Sequence, residues 1–322
     1  MNRLLHAAIL AIAASTWTNA GAQAFPVKPV RMVVPLPPGA TTDVVMRATA
    51  QELSPRLGQP LVVENRPGGN WVIGAESCLK AGTDGHTLCV VNSDTMSFNP
   101  FVLSQLPYDP GRDFVPVTNL FFLLEGILAR SGLPVSNIGE LQALVGRTPG
   151  KVNFGTLGPG SSPDVFRQWL VQQWGAEMVG IPYKGGGNVV AAILGGEIDV
   201  AKIGMGNVGG LLNSGKLKVL AIQGTQRSKL APDVPTLREA GLGGFGVRVW
   251  WGLVMNAGTA ESAVSRINRE FVKLYREPKM MDYLEAQFVE VAVGPADQFG
   301  EFMKADRARA AETVKAYNIP KQ

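Results

Sequence analysis

The sequence predicts an α/β protein of two lobes, each built on its own sheet, with a cleft between them. Strand-like and helix-like segments alternate almost without interruption from residue 30 onward. Removing the N-terminal segment leaves about 300 residues, more than one hydrophobic core usually serves. The alternation breaks once, between residues 114 and 130, and then starts again. A repeated strand–helix alternation is the pattern of a mostly parallel sheet covered by helices.

Val30 to Leu36 is an apolar run bounded by prolines, as in a strand buried on both faces. Thr41 to Leu57 has helical spacing, Pro60–Glu64 is strand-like, Val72–Lys80 helical and Thr87–Asn92 strand-like. Two extended stretches meet in Phe114–Arg130, and the second leaves the first sheet. The second alternation places helices at Ile138–Arg147, Ser162–Trp174, Asn188–Leu194 and Val208–Ser214. Its strands are Lys151–Thr156, Met178–Pro182, Ile198–Ile203 and Leu217–Ile222. A short helix near Thr236–Ala240, a strand at Val247–Met255 and two or three C-terminal helices follow. The last, Ala296–Tyr317, repeats Phe299, Phe302, Ala305 and Ala308 at amphipathic spacing. The expected lobes are residues 25–120 plus 225–322 and residues 121–224, joined by crossings near 120 and 224.

The N-terminus reads as a secretory signal peptide over residues 1–24. Arg3 supplies positive charge, Leu4–Ser15 is apolar apart from His6, and Ala20-Gly21-Ala22 and Ala22-Gln23-Ala24 offer cleavage sites. The apolar run is shorter than the ~20 residues a membrane span needs. Export to the periplasm is the expectation. The net charge of +4 comes with no basic run or aromatic–basic ladder, so a nucleic-acid partner has no support.

Cys78 and Cys89 are compatible with a disulfide in an oxidising compartment or with two buried thiols. Beyond the signal segment, His86 is the only histidine, at the turn Asp84-Gly85-His86-Thr87. No HExxH or C-x-x-C occurs, and no metal or catalytic cofactor is implied.

Three strand-to-helix loops have the chemistry of an anion cradle: Pro37–Asp43, Gly155–Asp164 and Tyr183–Gly187. Glycines allow close backbone approach, hydroxyls donate, and a helix N-terminus offers free N–H groups. Thr41 or Thr42 also suits helix capping, and Asp164 the positive end of its helix. Gly204-Met205-Gly206-Asn207-Val208-Gly209 matches G-x-G-x-x-G, but no acidic residue follows at ~20 positions to meet a ribose. Gly210–Leu217 has Walker A spacing yet ends in Leu217 where a Ser or Thr hydroxyl is needed.

The chain resembles the Bug-type receptors of tripartite tricarboxylate transporters from about Phe25 to Ile319. The resemblance rests on Pro29–Pro35, Pro38-Gly39 with Asp43, Val63–Gly68, Asp84–Leu88, Leu106–Pro110 and Asp113-Phe114. It continues through Gly158 with Gly160-Ser161, Pro182–Gly185, Gly195-Gly196 with Asp199, Arg227-Ser228, Pro232–Gly241, and Trp250 with Gly252-Leu253. It implies a type II periplasmic-binding fold that closes on a small organic carboxylate and hands it to membrane transporter subunits, acting as a monomer and not as an enzyme. Carried over by position, it implies ligand contacts from Gly39, Ala40, Thr41 and Asp43 on one lobe. On the other it implies Thr156, Gly160, Ser161 and Lys184. Leu36, Ser93, Met205 and Asn207 are candidates for the specificity end. The chain departs from the family at Ala40, at Trp71 and at Met205-Gly206-Asn207. Asp164 stands where the family commonly has His; facing the cleft, it would favour an amine or hydroxyl. The alternatives are a secreted serine-dependent hydrolase using Ser161 or Ser162, and a ligand receptor for a membrane sensor.

Overall fold

A computed structural model describes residues 25–321. The expected signal peptide lies outside the described residues. Among these, no helix is long and apolar enough to cross a membrane.

Among the described residues, eleven strands form two sheets. The first sheet contains β1 (Val30–Val34), β2 (Leu61–Asn65), β3 (Thr87–Asn92), β4 (Phe114–Leu123), β10 (Trp250–Asn256) and β11 (Val289–Val291). Its order is β11-β4-β10-β3-β1-β2. The second contains β5 (Glu125–Arg130), β6 (Asn153–Thr156), β7 (Val179–Pro182), β8 (Val200–Gly204) and β9 (Leu217–Gln223), in the order β7-β6-β8-β5-β9. The two share one plan. An interior strand next to the edge (β1 or β6) is parallel to a neighbour on each side, and an antiparallel strand (β10 or β5) follows. The chain leaves the first sheet at Leu124, a few residues beyond the expected crossing, and returns after Gln223.

Alternation along β1 fixes the layers. Val30, Met32 and Val34 pack under α1 (Thr41–Leu57), α7 (Glu261–Tyr275) and α8 (Pro278–Ala286), through Leu53, Ile267, Phe271 and Met280. Val33 faces the other way, toward α2 (Val72–Leu79) and α9 (Ala296–Ala316), where Trp250, Phe299 and Met303 lie. Period-two burial on both faces is what an interior strand covered by helices on both sides requires. The second sheet is covered by α4 (Ile138–Arg147) and α5 (Ser162–Trp174) on one face and α6 (Gly186–Gly195) on the other. Cys78 at the end of α2 and Cys89 in β3 form a disulfide, which closes the question the sequence leaves open.

Two local expectations are corrected, and one element is unanticipated. Val208–Ser214 is not a helix: two 3₁₀ turns occupy Met205–Asn207 and Gly209–Leu211, because Gly204, Gly206, Gly209 and Gly210 weaken helical propagation. Thr236–Ala240 forms hydrogen-bonded turns, with Glu239 folding back onto Thr236. A π-helical turn at Asp94–Phe98 runs into a short helix, α3 (Asn99–Val102), in a segment the apolar periodicity does not mark.

Candidate functional site

A cavity with about 60 Å³ of open space lies between the sheets. It is bounded by residues at the carboxyl ends of β1, β3, β6 and β8 and by Val249 and Trp251 at the start of β10. Ligands of parallel α/β sheets bind at such strand ends. The volume holds a few water-sized groups, so the cleft is closed.

The loops after β1 and β6 are built alike. Gly39 (φ 85) donates its N–H to Asp43 Oδ2 at 2.9 Å. The same oxygen accepts Arg47 Nε at 3.0 Å, and Oδ1 accepts Asn65 Nδ2 at 2.7 Å. Gly160 (φ 72) donates to Asp164 Oδ2 at 3.0 Å, which also accepts Gln168 Nε2 at 2.9 Å. Asp164 Oδ1 takes Arg167 Nε and Nη2 at 3.0 and 2.8 Å. In each loop a left-handed glycine makes the turn, and a buried aspartate on the first turn of the helix ties it down. Burial raises the Asp43 pKa, but the bonds from Arg47, Asn65 and Gly39 outweigh it and leave the carboxyl below the usual range.

This wiring redistributes the expected roles. Gly39, Asp43, Gly160 and Asp164 satisfy one another within their loops, and none of the four lines the cavity. Asp164 is held by Gly160, Arg167 and Gln168 at the positive end of its helix and does not line this cavity. Ser161 is also committed: Oγ donates to the Gly158 carbonyl at 2.6 Å and accepts the Leu157 N–H at 3.3 Å. Thr156 Oγ1 accepts the Gly158 N–H, and Thr156 borders a separate surface pocket beside Pro159 and Arg167. Met205 is fully buried beside Gly126 in the core of the second sheet and does not line the cavity. Ser93 is buried with Oγ unpartnered, next to the cavity but not on its wall. Lys184 is exposed on an outer groove of about 370 Å³, which Trp71 and Leu157 share with the cavity. Leu36, Ala40, Thr41 and Asn207 line the cavity itself, with Asn207 Nδ2 held by the Gly204 carbonyl at 2.9 Å.

The cavity wall adds residues that were not among the expected ligand contacts. Ser162, one position past Ser161, lines it with its Oγ buried and unpartnered, as is Thr41 Oγ1 on the other side. Trp251 Nε1 is a third unpartnered donor. Asp94, 3% exposed, accepts Trp71 Nε1 and the Ser162 N–H on Oδ2, both at 3.2 Å, which ties the first lobe's strand end to the second lobe's helix. Burial pushes the Asp94 carboxyl up to about 6, against the bonds from Trp71 and Ser162. Trp71 adopts a left-handed backbone (φ 71), a strained state for a bulky residue that clusters at ligand clamps. Asn70 and Asn99 cross-bond at 2.8 Å, and Tyr108 Oη donates to the Thr95 carbonyl at 2.9 Å, so the Trp71 and Asp94 segments support each other. Glu125, also on the wall, pairs with Lys202, whose Nζ sits 5.4 Å from the Phe166 ring centre. The sequence signal for Asp94 was available in Asn92-Ser93-Asp94-Thr95, a polar run closing an apolar strand.

The hydrolase alternative required Ser161 or Ser162 beside His86. His86 instead bonds the Val27 N–H at 3.3 Å and the Asp84 loop. Among the described residues, no group of three His, Cys, Asp or Glu is placed to hold a metal.

Residues 45–319 match the model of the tripartite tricarboxylate transporter family receptor. Protein BugT of Bordetella pertussis is 31% identical over 295 residues, covering 91% of this chain and 90% of its own. The structure of the periplasmic binding protein BugD superposes with a TM-score of 0.87 at 29% identity, covering 92% of this chain and all of its own. MatC from Rhodopseudomonas palustris, with bound malate, superposes at 0.83 and 29% identity, over 90% of this chain and all of its own.

Proposed function

The chain belongs to the tripartite tricarboxylate transporter receptor family, and from that premise we propose that it captures a small carboxylate-bearing molecule in the periplasm for such a transporter. It reaches the periplasm by a signal peptide over residues 1–24. It works as a monomer that binds without turnover, and the ligand passes to the membrane subunits of the transporter. The lobes are residues 25–120 plus 225–322 and residues 121–224, closing about the two crossings. Malate in MatC makes carboxylates the ligand class to examine first.

The observation that carries this reading is the pair of unpartnered buried hydroxyls, Thr41 Oγ1 and Ser162 Oγ, at the starts of two helices facing one cavity. Hydroxyls and helix N-terminal N–H groups stabilise an anion without a buried cation. A thermal-shift screen of the chain from Phe25 tests it, using organic acids against their neutral amides. Ligand at a hundredfold over its dissociation constant adds about 2.7 kcal/mol of stability. Acids that shift the melt while their amides do not support the reading; amides that shift it equally refute it.

A further inference from the structure

Asp94 is out of place in a purely anion-binding cavity. Its Oδ2 is bonded to Trp71 and Ser162, but Oδ1 is buried on the cavity wall with no partner. The other unpartnered side-chain atoms on that wall, Thr41 Oγ1, Ser162 Oγ and Trp251 Nε1, are hydroxyls or an N–H. The charged groups facing Asp94 are Glu125 from β5 and Lys202 from β8, and these bond each other. No cation of the protein bonds Asp94 among the described residues.

The two helix N-termini are also unequal. In α1 the N–H groups of Thr41, Thr42 and Asp43 precede the first intrahelical bond, from Val44 to Ala40. In α5 the Ser162 N–H is taken by Asp94, and Pro163 has none. An incoming carboxylate therefore finds more open N–H donors at the start of α1, whereas the start of α5 already carries the Asp94 carboxylate and offers the Ser162 hydroxyl.

We propose that Asp94 is a specificity-determining residue and that the ligand is an amino-carboxylate, its cationic nitrogen on Asp94 Oδ1 and its carboxylate at the start of α1 with Thr41. This rests on the receptor reading above and narrows its ligand class. A hydrogen-bonded charge left without its partner in a closed cavity is costly, so an acid lacking the nitrogen should bind about 10- to 100-fold more weakly.

Calorimetric titration at pH 7.5 with matched pairs tests this: L-aspartate against succinate, L-alanine against propionate, 4-aminobutyrate against butyrate. The expected result is binding of an amino member about tenfold or more tighter than its partner, with Asp94→Asn removing that preference. A desamino acid that binds as tightly as its amino partner overturns the proposal and leaves the receptor reading standing. No binding by any probe overturns the proposal for these ligands and counts against the carboxylate reading as well. A pH series on the unmutated protein is independent of how the variant folds. Affinity for the amino probe falls as the pH drops from 7.5 to 5 and Asp94 takes up a proton. Affinity that rises instead means a protonated Asp94 donating to a second carboxylate, which overturns the amine assignment.

Discussion

The loops Pro38–Asp43 and Pro159–Asp164 are two copies of one device placed in different surroundings. Both run Pro-Gly-x-hydroxyl-x-Asp, both bond the glycine N–H to the aspartate four residues on, and both lead into a helix from a strand with parallel neighbours on both sides. They differ in what presses on them. A Cβ on Gly39 would meet nothing within 4 Å, whereas one on Gly160 would lie 2.8 Å from Val102. Arg47 is half exposed, whereas Arg167 is mostly buried and also reaches the Met178 carbonyl at 3.0 Å. The first loop keeps its N–H donors open; the second has one occupied by Asp94. The shared wiring makes a stiff cradle. The surroundings decide which copy is free to receive an anion.

The largest expected effect separates the glycines. Gly160→Ala combines left-handed strain with a clash against Val102 across the lobes, so it should destabilise the closed form and weaken ligand binding at least about tenfold. Gly39→Ala carries only backbone strain, about 1 to 2 kcal/mol, and should appear in the melting temperature alone. Equal binding by the two variants, measured by calorimetry, would break the comparison.

Next come the aspartates. Asp164→Ala strands the mostly buried Arg167 guanidinium and should cost about 3 kcal/mol in urea unfolding. Asp43→Ala, facing a half-exposed Arg47, should cost about 2 kcal/mol. The reverse order would mean that exposure of the guanidinium does not set the difference.

Asp43 and Asp94 should pull the pH dependence of stability in opposite directions. Asp43 lies below its ordinary range, so its contribution is present above that range and lost as the pH falls through the folded value. Asp94 rises from 3.8 to about 6, so its contribution is complete below 3.8 and lost as the pH climbs through 6. Asp94→Asn should therefore stabilise the unliganded protein at pH 7 by about 2 to 3 kcal/mol and have little effect at pH 4. A stability difference unchanged between pH 4 and 7 would contradict this.

The smallest effect on stability is expected at Thr41→Val and Ser162→Ala. Neither hydroxyl has a protein partner, so melting should shift by under about 0.5 kcal/mol while ligand affinity drops. A large loss of stability in either would mean that the hydroxyl serves the fold.

Periodicity made most elements legible. Thr41–Leu57, Thr87–Asn92, Ile138–Arg147 and Ser162–Trp174 stand where the spacing puts them, because each buries one stripe or both faces locally. The glycine-rich stretch after β8 did not become a helix, and β11 is three residues whose pairing with β4 depends on distant chain. For the site, loop chemistry pointed to segments that border the cavity, and the folded chain decides which of their atoms face it. Whether Ser161 or Ser162 reaches the cavity is decided by which hydroxyl the Gly158 carbonyl captures. That Asp94 meets Ser162 depends on how the two lobes come together, which short-range spacing does not encode.

The most direct test of anion capture between these loops is calorimetric titration of the chain from Phe25 with one identified acid and its primary amide, repeated on Thr41→Val. The account predicts a single-site heat for the acid, none for the amide, and an affinity loss of about 5- to 10-fold in the variant. An amide that binds as tightly as the acid would contradict it.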